Sequence, residues 1–193
     1  RVRTLGPAGT ADRLGERLSL LSRGARDLPE RQRSLRATLD WSVQLLDDAP
    51  RRLLAVFGAF SGGASLEALE SVSRDADLAD ALEDLLDAAL VGRLPASEAP
   101  RFVMLETVRE YAVELLAASG DEREIRDRHL DWLLALVEGE GLYWQRLMDA
   151  PWLDSVELEH DNIRAGFAHA QAVGDAEREI RLAAAMRYFW RVR

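Results

Sequence analysis

The densest chemistry in this chain surrounds its histidines. His160 and Asp161 stand beside Glu157 and Glu159, a set that could hold a divalent metal and turn a bound water into a hydrolytic nucleophile. Helical geometry works against it, because neighbours at i and i+1 diverge by about 100°. His129 and His169 have no second ligand at a spacing such as His-Glu-x-x-His. The cluster is therefore expected to hydrogen-bond on a helix surface, and no metal ligand is expected. No Ser lies in Gly-x-Ser-x-Gly, which removes the elbow nucleophile. The absence of Cys excludes thiolate catalysis, disulfides and Cys-ligated metals. All 25 basic residues are Arg, so neither a phosphate-loop lysine nor a Schiff-base lysine is present. Gly6-Pro7-Ala8-Gly9 and Gly62-Gly63 read as lone glycine turns. Catalytic residues are expected to be absent.

With chemistry set aside, the elements carry the reading. Leu14, Leu18 and Leu21 make one helical stripe over 10–21, ending at Ser22-Arg23-Gly24. Asp27-Leu28-Pro29-Glu30 signals a helix start, and Leu35, Leu39, Val43 and Leu46 share the face that follows, flanked by Trp41 and Leu45. Asp47 to Pro50 opens a short helix with Leu53, Leu54 and Phe57. Ser61-Gly62-Gly63 is a turn, and Ser65 is placed to cap a helix burying Leu66, Leu69 and Val72. Asp77 should cap the next, with Leu78, Leu82, Leu85, Leu86 and Ala89 inward.

The period then changes. Residues 90–94 and 101–105 are short β-prone runs around a six-residue loop, Pro95 to Pro100, and read as a hairpin. Helix resumes at Glu106 with Val108, Tyr111, Ala112, Leu115 and Leu116 inward, and stops at Gly120. Beyond Asp121 everything reads as helix. One helix carries Ile125, Leu130, Leu133, Leu136 and Val137; after a break at Gly139-Glu140-Gly141 comes an aromatic stretch with Tyr143, Trp144 and Trp152. Two helices, about 151–173 and 175–190, meet at Gly174. The five Trp are expected to anchor helix packing. The fold class is therefore mainly α: a winged helix-turn-helix with a two-stranded hairpin, followed by antiparallel helical-repeat-like helices.

Charge narrows the partners. Residues 1–40 hold nine Arg against five acids, while residues 41–193 hold sixteen Arg against twenty-nine acids. Such an acidic body repels phosphate backbones and anionic membrane surfaces. The helix before the hairpin would be the one to enter a DNA groove, yet it carries Asp77, Asp80, Glu83, Asp84 and Asp87 and no basic residue. The wing adds only Arg93 and Arg101. Direct nucleic-acid binding by this segment is not expected. The longest uncharged run, Leu53 to Leu66, is 14 residues, too short for a bilayer, so no membrane contact is expected and the location is read as cytoplasmic. Residue 1 is Arg and no signal peptide is seen, and the reading expects a piece of a longer chain.

Three runs resemble a known family: residues 28–42 (LPERQRSLRATLDWS), Ala55-Val56-Phe57, and Leu105-Glu106-Thr107-Val108-Arg109-Glu110-Tyr111-Ala112. They are similar to the large actinobacterial transcriptional regulators of LuxR or antibiotic-regulator type that contain a STAND-type (NB-ARC-like) ATPase. Trp152-Leu153 and residues 157–165 (ELEHDNIRA) resemble the start of their tetratricopeptide-like helices. The resemblance implies three parts: residues 1–27 as the end of a helical lid, 28–119 as a winged-helix domain, and 120–193 as the start of the helical region. It also implies ATP or ADP on an upstream nucleotide-binding domain, with no cofactor held by this segment alone. In many relatives a Met-His-Asp motif at the start of the last winged-helix helix reaches the ADP β-phosphate. Met104-Leu105-Glu106 stands at that place. The resemblance thus makes Leu105 and Glu106 the cofactor-facing positions, although Leu105 lacks the donor of the family histidine.

Function is accordingly read as a regulatory and interaction segment of a signal-transduction ATPase regulator, which couples nucleotide state to a helical sensor region and is not itself an enzyme. Its partners would be the upstream nucleotide-binding domain and a protein or small-molecule inducer at the helical repeats. Two alternatives remain: a DNA-binding winged-helix transcription factor with a helical dimerisation tail, and a hydrolase built on the His160 cluster.

Overall fold

A computed structural model of the chain describes residues 30–94, 100–139, 150–187 and 189–193. The expected helix over 10–21, the residues 27–29 of the next helix start, the loop tip 95–99 and the stretch with Tyr143 and Trp144 lie outside them. The chain divides into two units, residues 1–45 and 46–193. In the first, α1 spans Glu30–Gln44, with Val43 buried and Trp41 64% exposed.

The second unit opens with α2 (Asp48–Phe57), whose Pro50 sits in the first turn, where a missing backbone N–H is tolerated. Its Leu53, Leu54 and Phe57 are buried, and it packs against α4 (Leu78–Asp87) and α5 (Glu106–Ala118). Between them lies α3 (Leu66–Ser73), which the Ser65 hydroxyl caps by accepting the Ala68 N–H at 3.1 Å. Leu69 and Val72 are buried as expected, whereas Leu66 is exposed. Asp77 stands ahead of α4 but makes no side-chain cap, since its backbone has left the extended conformation that aims a cap side chain at the first turn. Leu78, Leu82 and Leu85 are buried. Ala89 is not inward: it lies exposed after the helix end with φ +53°.

The expected hairpin is present as β2 (Gly92–Leu94) and β3 (Arg101–Val103), and a third strand joins it. That strand, β1 (Ala64–Ser65), pairs antiparallel with β3 in the register Ala64 to Phe102, giving the order β1-β3-β2. Two residues are too few to show a period-two pattern, so this strand is created by its partner.

α6 (Glu122–Glu138) leads into α7 (Ala150–Leu158), α8 (His160–Val173), α9 (Ala176–Met186) and the short α10 (Phe189–Val192). Leu130, Leu133 and Val137 of α6 share a core with Val156, Ile163, Leu182, Met186 and Phe189. Gly166 lets α8 come close to α6: a Cβ there would lie 2.8 Å from Leu133 Cδ1. Gly174 ends α8 in the left-handed conformation, as expected. The single helix expected over 151–173 is instead broken at Glu159. Trp132 and Trp152 pack against this core, but Trp190 is 52% exposed and does not anchor it.

Candidate functional site

The loop after α2 and the break between α7 and α8 meet at one buried polar cluster. Arg101 leaves β3 with its side chain 5% exposed and pairs with Glu159, Nη1 to Oε1 at 2.5 Å. Its Nε donates to the Gly62 carbonyl at 3.0 Å, and Nη2 reaches the carbonyls of Gly62, Gly63 and Leu158 and the second Glu159 oxygen. The Leu158 carbonyl lies where the helix breaks, so the guanidinium takes an acceptor that a broken helix leaves open. Asn162 is wholly buried. Its Oδ1 accepts the N–H groups of Ser61 (2.7 Å) and Gly62 (3.3 Å), while Nδ2 donates to Gly63 O (2.9 Å) and Glu159 Oε2 (2.6 Å). A buried charge is stable only when paired and hydrogen-bonded, and here every polar arm of Asn162 is used.

Gly63 makes the loop possible. Its φ is +79°, and a Cβ at this place would lie 2.5 Å from the Phe102 carbonyl oxygen. Beside the loop is a cavity of about 210 Å³ lined by Phe57, Phe60, Ser61, Gly62, Gly63, Val103, Met104, Glu106 and Arg109. Glu106, in the first turn of α5, takes two hydrogen bonds from Arg109: Nε to Oε2 at 2.9 Å and Nη2 to Oε1 at 2.5 Å. This bond holds the Glu106 carboxyl below its usual range and raises Arg109. Leu105 precedes the helix without a side-chain cap and is 74% exposed, so it does not turn inward onto Phe102 and Val108. Met104 and Glu106 line the cavity and Leu105 does not.

The histidines part company. His129 is 2% exposed and packs edge-on to Phe60, ring centres 4.6 Å apart, and stacks near Trp132 at 6.0 Å. Burial, with Arg126 and His169 adding repulsion, pushes its pKa down to about 3, and its Nε2 has no hydrogen-bond partner among the described residues. His169 Nε2 lies 2.8 Å from Asp127 Oδ1, which Arg178 also approaches. His160 sits by Phe189. Among the described residues no group of three His, Cys, Asp or Glu could hold a metal ion.

The sequence puts Glu159 on a helix surface and Arg101 on the hairpin wing, whereas both are buried in one ion pair. Asn162 was not singled out. The available signal was Glu159 and Asn162 at i, i+3, which places both on one helical face. Among the described residues no helix is long and apolar enough to cross a membrane.

No protein-family model matches the chain, and no solved structure matches it significantly. The chain is 35% identical over 199 residues to a protein of Mycobacterium bovis, and equally to one of Mycobacterium tuberculosis, each bearing the name HTH-type transcriptional regulator. These alignments cover 98% of this chain and 22% of each relative. A further Mycobacterium bovis protein, named only as uncharacterized, is 27% identical over 135 residues, covering 67% of this chain and 34% of its own length. The chain therefore spans about a fifth of the length of the curated regulators it resembles along nearly all of its own.

Proposed function

We propose that this chain is a regulatory, non-catalytic arm of a transcriptional regulator, a winged helix joined rigidly to the first helices of a tetratricopeptide-like region. The parent would be a STAND-type ATPase whose upstream domain holds ATP or ADP, and this arm would pass its lid movement to a sensor region that meets an inducer. The order helix, strand, two helices, hairpin, helix from Asp48 to Ala118 supports the winged-helix part. The name borne by the relatives supports a role in transcription.

One observation carries the coupling: the Arg101–Glu159–Asn162 cluster. It binds the Gly62–Gly63 loop and β3 to the α7–α8 break through buried polar bonds that cannot slide. A displacement of the sheet then moves α8 with it, which is what a relay between two states needs.

The relatives' name also favours direct DNA binding, and the two readings separate cleanly. α4 presents exposed Asp80, Glu83, Asp84 and Asp87, and burial of Arg101 leaves Arg93 as the exposed cation on the described strands. Fluorescence anisotropy with random duplex DNA at low salt decides. The relay reading expects no sub-micromolar binding; tight binding that weakens steeply with salt would establish the DNA-binding reading instead.

A further inference from the structure

We infer that α7 and α8 form a two-state element: bent at Glu159 while Arg101 is seated, and one continuous helix over 150–173 once Arg101 withdraws. This goes beyond the relay, which concerns how the sheet carries α8 while the cluster holds. Its geometry does not depend on what the parent protein is.

The local sequence does not call for a break. Residues 152–165 (WLDSVELEHDNIRA) contain neither Gly nor Pro, the usual causes of a sharp bend. The helical ladder also runs up to the break and resumes directly after it. The Glu159 N–H donates to Ser155 O at 3.1 Å, and the Ile163 N–H donates to Glu159 O at 2.8 Å. Among the described residues, the N–H groups of His160 and Asn162 make no bond to Val156 O and Leu158 O. Glu159 itself lies at φ −96° and ψ 9°, so rotations of roughly 33° and 51° return it to ordinary helix.

What holds the bend is tertiary. Arg101 Nη2 donates to the Leu158 carbonyl at 3.2 Å, the acceptor that the Asn162 N–H would use in a continuous helix. Its Nη1 pairs with Glu159. α7 is otherwise lightly held. Val156 is wholly buried, but Trp152 and Leu153 are half-buried and Leu158 is 53% exposed. The ion pairs of Asp154 and Glu157 with Arg193 lie at the surface, where they stabilise little. Burying one valine and closing two backbone hydrogen bonds are contributions of the same order, so the arginine decides which form prevails. The Asn162 side chain stays bonded to the Ser61–Gly63 loop, so α8 keeps its place and α7 is the part that swings.

The test is residue-resolved amide hydrogen exchange on the 193-residue chain and its Arg101→Leu variant. The His160 and Asn162 amides should each gain at least about tenfold protection in the variant, against the general loss that mere destabilisation brings. Failure of either amide to gain would overturn the inference. Should Arg101→Leu fail to fold, the double variant with Glu159→Leu, which strands no charge, takes its place. A distance gives the second readout. Asp154→Cys and Ala172→Cys place spin labels at exposed positions of a chain without native Cys. In a continuous helix these positions share one face about 27 Å apart. The distance should lengthen to that value when Arg101 is replaced, and an unchanged distance would overturn the inference.

Discussion

Arg101 and Glu159 are 58 residues apart in sequence, yet they form an ion pair with side chains only 5% and 6% exposed. One comes from the middle strand of a three-stranded sheet and the other from the turn between two helices. Removing one partner strands a buried charge, whereas removing both replaces the pair by apolar volume. Arg101→Leu and Glu159→Leu should each cost about 3–5 kcal/mol, and the double variant less than their sum. Urea denaturation of the four proteins measures this.

His129 gives the chain an acid sensitivity. Its pKa is about 3 when folded against an ordinary 6.5, so between those values the unfolded chain binds more protons. Stability is therefore full above pH 6.5 and is lost as pH falls towards 3, by an amount of order 5 kcal/mol. Replacing His129 by Phe, which suits the ring contacts with Phe60 and Trp132, should flatten this slope in melts across the same range.

Gly63→Ala should be costly, because the loop that meets Arg101 and Asn162 depends on this backbone conformation. Positive φ and the Phe102 carbonyl at 2.5 Å from the new Cβ together imply a loss of about 2–3 kcal/mol or more. Chemical denaturation should show a lower midpoint with an unchanged slope.

Leu105→His tests the opposite expectation. With the side chain 74% exposed, stability should move by less than about 0.5 kcal/mol. A fall in Tm beyond a few degrees would mean that Leu105 is packed.

Much of the architecture was legible because it is local. The Ser65 cap, the helix ends at Gly120 and Gly174 and the two hairpin strands each follow from a few neighbouring residues. What escaped is tertiary. Leu158-Glu159-His160 contains no Gly or Pro, and the helix breaks where Arg101 donates a hydrogen bond to the Leu158 carbonyl. β1 exists because β3 lies beside it, and Arg101 looks like a surface cation until its carboxylate is known. The acidic face of α4 was readable directly, since charges at solvated positions have no distant partner to find.

The central claim is that the sheet and the α7–α8 break behave as one body, and hydrogen exchange on the chain and its Asn162→Ala variant tests it most directly. Losing Asn162 frees the N–H groups of Ser61 and Gly62 and unseats Glu159. Protection should fall together in residues 61–64, in β3 and across the first turns of α8. Loss confined to α8, with the loop and β3 as protected as before, would contradict the account.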